Sequence, residues 1–392
     1  MAAGGLLRAL GRGAMTSSEA EADEFLAGAL RGAAPWPPGL DPGRVVARAL
    51  DHGVAGALAG CCGDWPAEAA EPLRRAARAQ AMWEMRHHQV LAALLRRFEA
   101  EGLRVLVLKG SALAYDLYDR PHERARGDSD LLVAPADLPA ARRLLGAEGL
   151  ACGLADPDAD AATRREEGWS LRTPDGLEHD IDLHWQALNA PALSDVIPFV
   201  DAWARARPLP RLGPGARGLP LDLALVLACV HRAVHLVSPY YVGGRAHHGG
   251  DRLVWLLDID LLARALGPGD WDRVVATART SGVAGACLDG LLRAAGRLET
   301  PVPPRVLADL SRSPPAAADR YLRSGGRVAR MWRDLLATRG LAGRAAYLRA
   351  GLFPNAAHMR SKYPALAGRP LPLLHLRRVA EFVAAQLRGG RG

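Results

Sequence analysis

Two aspartates, Asp128 and Asp130, stand two apart in an otherwise apolar, β-prone run, Asp128-Ser129-Asp130-Leu131-Leu132-Val133. On a strand that spacing puts both carboxylates on one face. They repel there unless a divalent cation sits between them. Mg²⁺ takes hard oxygen ligands, typically one or two carboxylates plus substrate phosphates, and a third acid on a neighbouring strand completes a two-metal clamp. The run Glu178-His179-Asp180-Ile181-Asp182-Leu183-His184-Trp185 alternates at period two and reads as such a strand. It offers Asp180 or Asp182 on one face, with His184 beside them. Upstream, residues 103–108 form a short apolar run that ends at Lys109-Gly110-Ser111. A Gly-Ser turn between strand and helix presents backbone N–H groups and a hydroxyl to an anion, backed by the positive end of the helix. Lys109, Arg120, Arg124 and Arg126 add positive charge for a polyphosphate.

A phosphate cradle, a metal-binding acid pair and a third acid are the parts of nucleotidyl transfer. On the run Leu106-Val107-Leu108-Lys109-Gly110-Ser111-Ala112-Leu113-Ala114, on Arg124 four residues before Asp128, and on Asp182-Leu183-His184-Trp185, the chain resembles a known family. It is a largely uncharacterised bacterial nucleotidyltransferase family of the DNA polymerase β-like superfamily. The resemblance implies that Gly110 and Ser111 bind phosphates, helped by Lys109 and Arg124. It also implies that Asp128 and Asp130 hold Mg²⁺, and that Asp182, rather than Asp180, is the third acid. An NTP would be the substrate, with a two-metal Mg²⁺ site and attack of an unidentified acceptor on the α-phosphorus. The resemblance extends over residues 80–300, with helices carrying His231, His235, Trp255 and Asp258 downstream, and His184, His231, His235 and Asp258 are the substrate-side candidates. Members of the family often accompany peptide or polysaccharide biosynthesis genes, which implies a tailoring substrate. Two features depart from the superfamily pattern: the sixteen residues between Ser111 and Asp128, and Ser129 in place of an apolar residue between the acids. Two other readings remain open, a non-catalytic nucleotide-binding protein on the same fold and a protein-modifying transferase of the toxin–antitoxin kind.

These residues require strands alternating with helices over residues 101–210, an α+β arrangement with a small mixed β-sheet. Helical patterns flank it at 16–100, with breaks at Trp36-Pro37-Pro38-Gly39 and at residues 61–66, and again at 211–300. Residues 1–15 read as a disordered leader, ahead of a helix start at Thr16-Ser17-Ser18-Glu19. Residues 152–176 read as an acid-rich loop, and residues 243–250 as a mobile loop. Pro301, Pro303, Pro304, Pro314 and Pro315 mark a linker into an Arg-rich helical extension at 301–392. His87 and His88 read as packed histidines rather than ligands, and Cys61-Cys62 as core residues. His231 and His235, one helical turn apart, read as core or substrate-pocket groups, since no zinc-hydrolase motif surrounds them. Asp258, within Trp255-Leu256-Leu257-Asp258-Ile259, needs a partner, because a buried charge requires one.

With 392 residues, the chain is long enough for two or three substructures. The net charge is +8, but only Lys109 and Lys362 are lysines, so arginine has been inflated throughout. Aromatic residues make up 5% of the chain, too few to support a stacking nucleic-acid surface. No apolar run reaches the roughly 18 residues of a spanning helix, so no membrane partner is expected. The five cysteines form no CxxC pair, which fits a reducing cytosol.

Overall fold

The Thr16 hydroxyl accepts the Glu19 backbone N–H, while the Glu19 carboxylate accepts the Thr16 N–H at 2.8 Å. This reciprocal cap starts helix α1 (Ser17–Arg31) where the sequence places a helix start. The computed structural model describes residues 16–32, 34–154, 164–242, 245–247, 250–324, 326–366 and 368–389. The expected leader at 1–15 and parts of the 243–250 stretch lie outside them. After α1 come α2 (Pro42–His52), α3 (Ala55–Leu58) and α4 (Ala67–Ala100). The 34 residues of α4 span about 50 Å.

The sheet-forming segment then runs β1 (Val105–Val107), α5 (Lys109–Asp116), β2 (Asp128–Val133), α6 (Leu138–Ala147), β3 (Ala151–Cys152), β4 (Glu166–Arg172), β5 (Glu178–His184), α7 (Phe199–Ala204), β6 (Arg207–Pro208) and β7 (Arg217–Gly218). The seven strands form one mixed sheet in the order β3-β4-β5-β2-β1-β7-β6. β2–β5 and β1–β7 are parallel, and the other neighbours are antiparallel. Helices return with α8 (Leu221–Val237). A ribbon of β8 (Tyr240–Val242) and β9 (Arg245–His247) precedes α9 (Leu253–Ala265), α10 (Pro268–Thr280) and α11 (Ala284–Leu298). The extension carries α12 (Pro304–Ser311), α13 (Ala317–Leu322), α14 (Arg327–Ala337), α15 (Leu341–Leu352), α16 (Ala356–Lys362) and α17 (Leu371–Gly389).

The fold is α+β, a mixed sheet flanked by helices. Three local expectations change. Residues 166–172, read as loop, form β4. They pair with β5 through a turn at Thr173-Pro174-Asp175-Gly176, in which Gly176 takes φ 83°. The proline-marked linker holds α12, because Pro304 sits in the first turn, where its missing N–H costs nothing. Of Cys61-Cys62, only Cys62 is buried.

Alternation along the strands divides the apolar residues between two cores. Leu106, Leu108 and Leu132 face a core built from α1–α4 and α8–α13. Val105, Val107, Leu131, Ile181 and Leu183 face a second core with α6 and the C-terminal half of α4. The side of β2 that carries Leu132 also carries Asp128 and Asp130, so the acids look toward the helices that follow the sheet.

Candidate functional site

The parallel pairing of β2 with β5 sets Asp128 opposite Asp180, Asp130 opposite Asp182 and Leu132 opposite His184. Period two then brings four carboxylates and an imidazole to one face of two adjacent strands. Within that face the ligand atoms of Asp130, Asp182 and His184 lie within 4.8 Å of one another. Asp128 stands at the exposed end of β2. Asp180 is drawn aside, its Oδ1 accepting the Ser170 hydroxyl of β4 at 2.6 Å. His184 is fully buried. Its Nε2 lies 2.9 Å from Asp130 Oδ1, and its Nδ1 lies 3.3 Å from Glu166 Oε2 without hydrogen-bond alignment.

Lys109 completes this group. It sits at the junction of β1 and α5 with φ 47°, a left-handed conformation that costs a non-glycine residue energy. Its Nζ is 2.5 Å from Asp130 Oδ1. Burial works against the Asp130 charge, but the Lys109 ammonium and the His184 hydrogen bond outweigh it and hold the carboxyl far below its ordinary range. Asp182 has no such partner. Burial, followed by the charges of Asp128 and Asp130, pushes it up to about 7. Burial pulls the Lys109 ammonium down, and Asp130 more than offsets it, so the group stays charged.

Beyond Lys109 the turn abuts a recess between α5, α8 and α9. Leu113, Leu219, Leu227 and Trp255 form apolar wall, and Lys109, Asp116, Arg124, His231 and Asp258 are its polar side chains. Asp258 has the partner its burial demands: Arg124 grips it through Nε and Nη2, both at 2.8 Å, and the Tyr118 hydroxyl donates to it at 2.8 Å. Arg124 Nη1 donates to the Ala125 carbonyl. The guanidinium packs over Gly110, where an added Cβ would meet it at 3.2–3.4 Å. His231 Nε2 is 3.0 Å from His235 Nε2, and His235 stacks on Trp255. Burial holds His231 well below the ordinary imidazole range and His235 at about 4, so both are neutral.

A family model described as uncharacterised nucleotidyltransferase matches residues 38–299, about two thirds of the chain. The chain belongs to the uncharacterised nucleotidyltransferase family. No curated protein matches it. The matched span takes in the acid group, the turn and the recess, and ends before α12. Membership implies an NTP substrate and typically a divalent metal.

Within this nucleotidyltransferase chain, several expected site residues lie together. Asp130, Asp182 and His184 form the compact group, Lys109 bridges it to the recess, and His231 and Asp258 line the recess. His184, read from sequence as substrate-side, joins the acids. Three placements differ from the expectation. The Ser111 hydroxyl is not offered to an anion. It is buried, 2.7 Å from Ser129 Oγ and 3.3 Å from the Asp128 carbonyl, which leaves only backbone of the turn to face a phosphate. Arg124 is held by Asp258 rather than free for phosphate. Asp128 falls outside the compact group.

Other residues at the site were not legible as such. His87, buried on the opposite face of the sheet, lies 2.6 Å from Ser129 Oγ and 3.3 Å from His179, which ties α4 to the acid strand and to the Gly-Ser turn. Burial, then the Arg126 charge, holds it at about 3. Glu166 lies in β4, within the stretch whose composition reads as an acid-rich loop. The signal for it was the Pro-Asp-Gly turn between two β-prone runs, the mark of a hairpin.

Proposed function

We propose that this nucleotidyltransferase is Mg²⁺-dependent, of the DNA polymerase β-like kind, and transfers a nucleoside monophosphate from an NTP to a small-molecule or peptide acceptor in a biosynthetic tailoring step. The pairing of β2 with β5, which brings Asp130, Asp182 and His184 together beside Lys109 at the β1–α5 turn, carries the reading. The donor set fits a divalent cation. Asp128, Asp130 and Asp182 face one ammonium, and burial, then the charges of the other two acids, raises Asp182 to about 7. Asp130 and Asp182 would hold the ion, with Asp128 at the mouth of the site. Bound there, Mg²⁺ supplies positive charge to the polyphosphate and acidifies an acceptor hydroxyl.

The chain's own groups do the rest. The α5 backbone N–H groups, which have no intrahelical partners at that end, and the Lys109 ammonium receive the β- and γ-phosphates. The recess takes the organic part of a substrate against Trp255 and the leucines, over a floor fixed by the Arg124–Asp258 pair. The acceptor oxygen bonds to the α-phosphorus, the Pα–O bond to the β-phosphate breaks, and pyrophosphate leaves. Asp182 would receive the proton given up by the acceptor. All five thiols are free, in keeping with a reducing cytosol, where we place the protein.

Calorimetric titration with NTP in the presence and absence of Mg²⁺ tests the reading. The wild-type chain should bind NTP only with Mg²⁺, and Asp130→Asn should abolish that binding while keeping the wild-type circular dichroism spectrum. Equal Mg²⁺–NTP affinity in the two proteins would remove the metal assignment.

A further inference from the structure

Beyond the family match, the chain changes character. Residues 301–392 carry 17 Arg and Lys against 4 Asp and Glu, whereas residues 1–300 carry 33 against 38. The extension is therefore +13 and the remainder −5. A chain-wide preference for arginine over lysine leaves this asymmetry unexplained, because it acts on both parts. The same segment concentrates exposed apolar surface. Of the fifteen large hydrophobic side chains exposed among the described residues, ten lie between 328 and 379.

Helix α14 shows how this arises. One side docks on the body: Asp334 and Leu335 are buried, and Asp334 Oδ1 accepts the Ala192 N–H at 3.1 Å. Val328, Trp332 and Leu336, spaced by one turn, remain exposed. Exposed apolar side chains continue beyond it, with Leu341 84% exposed on α15, Phe353 just after it, and Leu376 66% exposed on α17. Around them Arg349, Arg360, Lys362 and Arg369 are exposed and form no ion pair among the described residues.

We propose that the extension is a docking module for an anionic lipid surface. Charge complementarity selects the occupant. Basic helices that expose Trp, Phe and Leu beside arginines are the composition of segments that lie in a membrane interface, and anionic headgroups attract such clusters. Nucleic acid would supply the same negative charge. It would need stacking rings or a groove lined by cations, whereas most of the exposed apolar groups here are aliphatic. No described helix is long and apolar enough to cross a membrane, and surface docking requires no crossing. This is a departure from the expectation of no membrane partner. It is independent of the reading of the catalytic site.

The full chain is mixed with phosphatidylcholine vesicles, or with vesicles that also contain phosphatidylglycerol, and floated on a density gradient. It should rise with the anionic vesicles and not with the neutral ones, and about 0.5 M NaCl should release it, because exposed charges are screened at that ionic strength. Arg349→Glu with Arg369→Glu should lower the bound fraction about tenfold or more. Trp332→Ser with Leu336→Ser should also weaken binding. All four changes lie at exposed positions, and unchanged thermal melts would confirm intact folding. Failure to float with anionic vesicles overturns the proposal, as does equal flotation with neutral ones. It is likewise overturned if duplex DNA binds more tightly and displaces the vesicles. A dimer in light scattering that Trp332→Ser with Leu336→Ser dissociates, with no vesicle binding, would assign the face to contact between copies instead.

Discussion

Asp182→Asn should stabilise this protein, and only above a certain pH. In the folded chain the Asp182 carboxyl titrates at about 7, against an ordinary value of 3.8, because burial and two neighbouring carboxylates penalise its charge. Between those values the folded state holds a proton that the unfolded chain has released. Linkage then makes stability fall as pH rises through the window from about 4 to 7. Each tenfold difference in acidity corresponds to about 1.4 kcal/mol, so the ceiling is about 4 kcal/mol above pH 7. Three carboxylates share the repulsion and the site is partly open to water, so we expect about 1–2 kcal/mol. Asn keeps the shape and removes the charge. Urea unfolding of wild type and Asp182→Asn at intervals from pH 4.5 to pH 8.5, without divalent metal, measures the difference. The gain should be near zero at the acid end, grow through the window and level off above it. Adding Mg²⁺ should narrow it, since a cation relieves the same repulsion. A gain independent of pH, or a loss at pH 8, would refute the reasoning.

Asp258→Ala leaves the buried Arg124 guanidinium without its carboxylate and should cost about 3–5 kcal/mol in urea unfolding. Pairing it with Arg124→Met should recover part of that loss, whereas strictly additive losses would show that the two groups are not coupled. Lys109→Arg should lower Mg²⁺–NTP affinity nearly as far as Lys109→Ala, by about tenfold or more, the worth of a charge-assisted hydrogen bond. The ammonium meets Asp130 as a compact point charge at 2.5 Å, a geometry that a planar, forked guanidinium does not reproduce. Wild-type affinity in the Arg variant would show that charge alone matters there.

The acid strands were legible because period two is a local signal: β2 and β5 follow from Asp128-Ser129-Asp130 and Asp180-Ile181-Asp182 with no knowledge of their neighbours. The sequence could not show that the strands pair in parallel with Asp130 against Asp182, since pairing register is set by packing on both faces. The demand that Asp258 have a partner was readable from an acid in an apolar helix. The identity of that partner, 134 positions away, was not. The same long-range contact decided Arg124, whose place in an Arg-rich loop suggested phosphate instead. Ser111 misled for another reason. A Gly-Ser turn shows that a hydroxyl is present, but its direction depends on Ser129 and on His87 in α4. Lys109 stood out by composition, and its left-handed backbone has no sequence signal, because non-glycine residues seldom adopt that conformation.

The first core also bears on how the chain is made. It joins α1–α3, which pack on one another and on α4, to α11 and onward to Leu322, so part of their cover leaves the ribosome long after they do. At about 5–20 residues per second, the interval between α3 and the end of that core is on the order of 10–50 s. During it α1, α2 and α3 can pack on one another and on α4, but the side of α1 that meets α11 stays open to water until α11 is made. A chain stalled before α9 would carry α1–α4 without the α9–α13 part of this core, leaving apolar surface open to water.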